Sequence, residues 1–61
     1  MKIAQYIISL ALEALNQGRP LPASLGETEF FVAEAGDENI IAHDAITHDG
    51  KEYKIGTHKN A

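Results

Sequence analysis

One stretch sets the terms for the rest of the chain. Ile3 to Leu15, IAQYIISLALEAL, places apolar residues at Ile3, Ile7, Leu10 and Ala14, and again at Ala4, Ile8, Ala11 and Leu15. Both sets follow the i, i+3/i+4, i+7 spacing of a helix face. Alternation with period two fails, because Tyr6-Ile7-Ile8 and Leu10-Ala11-Leu12 run together. The spacing predicts one amphipathic helix over about residues 2–17. Gly18 suits the left-handed position just past its end, and Pro20 and Pro22 cannot continue it.

Local effects do not hold this helix. Lys2 lies at its positive end and Glu13 near its negative end, opposite to what the dipole favours. No Ser, Thr, Asp or Asn caps the start. Packing must therefore supply the stability, at about 1.5–3 kcal/mol for each large apolar side chain buried. The polar positions Lys2, Gln5, Ser9, Glu13 and Asn16 form one narrow stripe. The apolar arc is wider than a single sheet contact requires. One consequence is exposed Leu and Ala on a small core. The other is a second buried side, with Ile8, Leu12 and Leu15 as a homodimer interface.

A chain of 61 residues makes one domain, 1–61, and buries only about 60% of its unfolded surface. Small domains usually add disulfides, a metal or a partner. Cysteine is absent, so disulfides and zinc–thiolate sites are excluded, and oligomerisation becomes the expected support. The apolar start is interrupted by Gln5, Ser9 and Glu13 and is too short to span a bilayer, so the expectation is a cytoplasmic protein with no signal peptide and no membrane partner.

After the helix, Arg19 to Gly26 (RPLPASLG) reads as an extended connector, with Leu21 and Leu25 turned towards the core. Three β-forming runs follow within about residues 28–57: Thr28–Ala35, Asn39–Thr47 and Lys51–Thr57. Gly36-Asp37-Glu38-Asn39 is a turn cluster between the first two. Asp49-Gly50 is a type I′ hairpin signal between the second and third. A two-residue loop there pairs Ile46 with Tyr53 and Asp44 with Ile55, setting Ile46, Tyr53 and Ile55 against the helix. For the first hairpin, a four-residue loop adds Phe31, Ala33 and Ile40 to that face, and a three-residue loop adds Phe30 and Val32 instead. Either register leaves one Phe on the opposite face. Gly56 weakens the end of the last strand, and 58–61 reads as a frayed tail. The expected architecture is α+β: one N-terminal helix packed on a three-stranded antiparallel meander in the order α-β-β-β.

Catalytic chemistry has little foothold. Ser9 and Ser24 have no motif around them, and a chain this small has little room for a pocket that perturbs a carboxyl group. There is no Gly-rich phosphate loop and no basic patch, and a net charge of -4 argues against direct nucleic-acid binding. The expectation is no enzyme activity and no cofactor. The histidines of HDAITHD do not converge on one strand, and His43 with His58 across the hairpin is the single geometry that would support a small-ligand or metal site. No metal site is expected.

Charge order is the more informative feature. Glu27, Glu29, Glu34, Asp37, Glu38, Asp44 and Asp49 follow one another with no Lys or Arg between them, and Lys51, Lys54 and Lys59 come after. Such a block keeps a small protein soluble, and it is also suited to a basic surface on a partner. In size, acidity and lack of catalytic groups the chain resembles the small stand-alone inhibitors of phages and mobile elements, such as anti-CRISPR proteins. That resemblance, which is one of general character and covers no particular residue, implies a non-enzymatic protein that inhibits or modulates a larger, nucleic-acid-handling host protein; the charge order separately offers the seven acids as its contact surface. A dimerising assembly module is the alternative from another class.

Overall fold

A computed structural model describes residues 3–60. Lys2, expected at the positive end of the helix, and Ala61, the end of the expected tail, lie outside the described residues. The helix, α1, spans Gln5–Asn16 and begins at Ala4 with no side-chain cap. It closes with Gly18 N–H donating to Leu15 C=O and Arg19 N–H to Ala14 C=O, the paired bonds of a Schellman end. Ile3, Ile7, Ala11 and Ala14 are buried. The alanines at the contact let the helix axis come close to the sheet. The bulkier Ile8, Leu10 and Leu15 pack along its flanks, half-buried. Leu12 lies outside the core and is 36% exposed, because the buried stripe is narrower than the apolar arc.

Four strands follow: β1 (Ala23–Ser24), β2 (Phe31–Glu34), β3 (Ile40–His48) and β4 (Lys51–His58). The α+β class stands as expected, with one strand more. The connector supplies it, for Ala23 pairs with Val32 and Ser24 with Phe31. Leu25 is buried, while Leu21 is half-buried. The loop between β1 and β2 is closed by Leu25 N–H to Phe30 C=O and by Thr28, whose hydroxyl donates to Leu25 C=O and accepts from Phe30 N–H.

The β3–β4 hairpin forms as the Asp49-Gly50 pair requires. Both residues have positive φ, 52° and 76°, and Ile46 faces Tyr53 while Asp44 faces Ile55. The meander does not form. Sheet order is β1-β2-β4-β3, all neighbours antiparallel, so β2 pairs with β4 and not with β3. Neither register considered for a first hairpin applies. Residues 35–39 turn as a cluster, with Asp37 N–H donating to Glu34 C=O and Ile40 N–H to Asp37 C=O, but they carry the chain across β4. Lys54 Nζ donates to the Asp37 carbonyl and ties this crossing to the sheet face away from the helix. Beneath the crossing, Ala33 and Ile40 are buried apart from the main core. The main core takes Val32 and Ile55, with Phe30, Ile46 and Tyr53 at its edge. Phe31 lies on the other face, so the two Phe rings do divide between the faces.

The path of β3 explains Gly56. A bulge in β3 sets Ala42 opposite Gly56 and Asp44 opposite Ile55, leaving His43 as the extra residue. A Cβ at position 56 would sit 1.8 Å from the Ile41 carbonyl oxygen and 2.6 Å from its carbon. Gly56 therefore does not weaken the end of a strand; it admits the bulged backbone. The ladder continues past it, with Ile40 opposite His58 and Lys59 N–H donating to Asn39 C=O at 2.8 Å, so the backbone of 58 and 59 is held rather than frayed.

Candidate functional site

The acidic block is divided by the fold. Glu27 and Glu29 are exposed in the β1–β2 loop, and Glu38 is exposed just before β3. Topology brings these three to the end of the sheet where β4 finishes, since Phe31 faces Gly56 and Ile40 faces His58. Asp49 is exposed in the hairpin turn at the opposite end. Glu34 lies towards that end, with Oε1 3.8 Å from Lys51 Nζ. Eight residues of β4 separate the ends by about 25 Å, several screening lengths at physiological salt, where the Debye length is about 8 Å. The two groups act as separate charges, not as one field.

Two of the seven acids accept hydrogen bonds from the chain's own backbone. Asp37 is half-buried, and its Oδ1 accepts from Asn39 N–H at 2.9 Å while its carbonyl accepts from Lys54. Asp44 is half-buried on β3, and its Oδ1 accepts from Ala45 N–H at 2.8 Å. Asp37 is thus a bracing residue of the crossing and not the free tip of a hairpin loop. An open depression of about 380 Å³ lies beside it, lined by Leu21, Glu34, Gly36 and Asp37.

The histidines are drawn apart. His43 Nε2 is 3.1 Å from Thr57 Oγ1, and its ring stands edge-on to Phe30. His58 stands edge-on to Phe31 on the other face of the sheet. The two do not meet across the hairpin, which removes the geometry that a shared ligand would need. Among the described residues, no group of three or more His, Asp or Glu side chains is placed to hold a metal ion. His48 ends β3, and its Nε2 lies 3.0 Å from Asn16 Oδ1, joining the hairpin to the end of the helix. Of the residues expected at a dimer interface, Ile8 and Leu15 pack partly on the core, and Leu12 alone is exposed. Tyr6, 63% exposed, and Ile41, 49% exposed, are the other large apolar side chains at the surface among the described residues.

No helix among the described residues is long and apolar enough to cross a membrane. Comparison with protein-family models, with curated proteins and with solved structures finds no match.

Proposed function

We propose that this protein is a non-catalytic binding module that covers a basic surface on a larger protein, one that itself handles nucleic acid, and so inhibits or modulates it. The observation that carries the reading is the trio Glu27, Glu29 and Glu38. All three are exposed on short loops at one end of the sheet, and among the described residues none of them forms an ion pair. Loops held by a rigid sheet can meet a partner without rearranging the core. Unpaired carboxylates there steer a basic surface inward and speed association more than they tighten the complex. Asp49 at the other end adds to the net charge but belongs to a separate contact.

The test is capture from host lysate with the immobilised chain, followed by association kinetics with the purified partner. The expected outcome is a protein with a basic groove whose on-rate falls as salt rises and falls again when Glu27, Glu29 and Glu38 are reversed to Lys, with the circular dichroism unchanged. On-rates indifferent to salt and to the triple reversal would leave the acids as a solubility surface and end the proposal.

A further inference from the structure

We propose that the outer edge of β3 is an interface between two copies of this chain, paired antiparallel about Ile46. β3 is the last strand of the sheet, and only its β4 side is paired among the described residues. Edge strands are ordinarily guarded by Lys, Pro, a bulge or a covering loop. Ile40–His48 contains neither Lys nor Pro, and its bulge lies between Ala42 and Asp44, which leaves residues 44–48 regular.

The direction of the free backbone groups follows from the turn. A two-residue hairpin closes on a hydrogen-bonded pair, here His48 with Lys51, and bonded pairs recur at every second position. Ile46 and Asp44 therefore direct their N–H and C=O groups to β4, and Ala45 and Thr47 direct theirs outward. The bond from Ala45 N–H to the Asp44 carboxylate agrees, since that N–H is not engaged by β4. Ala45 and Thr47 are both exposed.

One register uses both outward residues at once. With Ile46 opposite the partner's Ile46, Ala45 faces the partner's Thr47 and Thr47 faces the partner's Ala45, giving four main-chain hydrogen bonds. The same register sets Asp44 directly opposite the partner's His48, twice by symmetry. Shifting the centre to Ala45 or to Thr47 loses both the second bonded pair and this carboxylate–imidazole contact. The carboxylate of Asp44 then passes from Ala45 N–H to the partner's imidazole, while Ala45 N–H passes to the partner's Thr47 carbonyl. His48 can accept that contact. Its Nε2 stays with Asn16, and its Nδ1 faces Asp49 only at 3.8 Å, beyond hydrogen-bond distance. Pairing stops at the bulge on one side and at Asp49-Gly50 on the other, so five residues of each chain take part. That is a small interface of the weak, concentration-dependent class.

The experiment is sedimentation equilibrium on the full chain from about 10 µM to about 1 mM, a range matched to weak association, with folding followed by circular dichroism. The 6.6 kDa chain should move to twice its mass as concentration rises. Ala45→Pro removes only an outward N–H, which an edge strand tolerates, and should abolish the dimer. Asp44→Lys should weaken it by about tenfold, through two unfavourable cross-strand contacts. Adding His48→Asp to that change should restore it. Asp44→Lys and the rescue carry the test if Ala45→Pro fails to fold. A monomer throughout the range overturns the proposal. So does a dimer that both edge variants leave intact and Leu12→Glu dissociates, which would place the contact on the helix. A double variant that folds but does not regain the dimer overturns the register.

Discussion

Two short connections in this molecule behave in opposite ways. Asp49-Gly50 and Gly36–Asn39 are both rich in turn residues and both lie between β-forming runs. The first joins adjacent strands, while the second carries the chain over a strand and leaves β2 and β3 parallel on either side of β4. A two-residue turn with two left-handed residues has one geometry, so local chemistry decides its outcome. A five-residue passage has no such restriction. What lies at its far end is decided by which strand edge remains open, and the hairpin leaves only one edge of β4 for β2. The lesson is that a turn signal specifies strand pairing only when the turn is too short to allow anything else.

The largest effect belongs to Gly56→Ala. If the bulge of β3 lies against position 56, a Cβ has no room, and the change should destabilise by about 3 kcal/mol or more, read by urea denaturation. A β3–β4 hairpin without the bulge would accept the same substitution, so a small effect would remove the bulge and the close approach it creates. Lys54→Met comes next. It keeps the apolar stem but removes the bond to the Asp37 carbonyl, and a loss of about 1.5 kcal/mol is expected. Amide exchange should quicken at 37–40 more than in the β3–β4 ladder, and uniform quickening would show that the crossing and the hairpin are one unit. Gly50→Ala tests the other connection. Left-handed Ala should cost about 1 kcal/mol with no change of partner strand. The smallest effect is Glu38→Lys, within about 0.5 kcal/mol of wild type, because the residue is exposed and unpaired. Its neighbour sharpens the point: Asp37→Ala should cost about 1 kcal/mol through loss of the bond from Asn39 N–H, so adjacent acids of one turn separate by thermal melts alone.

Much was legible along the chain where neighbours in sequence decide the outcome. The period of Ile3 to Leu15, the Gly18 stop, the Asp49-Gly50 turn and the pairs Ile46–Tyr53 and Asp44–Ile55 all rest on contacts within a helix or one hairpin. The expected site was legible only as a list of charges. Its division into two ends, and the occupation of Asp37 and Asp44 by backbone N–H groups, depend on the path taken after Glu34. The separation of His43 from His58 depends on the bulge, which no residue type announces. Gly56 carried a usable signal, since a glycine inside a strand marks close backbone approach, but it reads equally as a weak strand end until the neighbour is known.

What this sequence determined by itself is therefore its elements and its tightest turn, because helix periodicity and left-handed backbone are properties of residues a few positions apart. Tertiary structure decided that Ala23-Ser24 would become a strand, that β4 would be central, and which acids remain free at the surface. Those outcomes turn on which hydrogen-bonding edge and which apolar face are still unsatisfied once the hairpin and helix are in place. That is a question about the whole chain at once, and a one-dimensional pattern does not contain the distances that answer it.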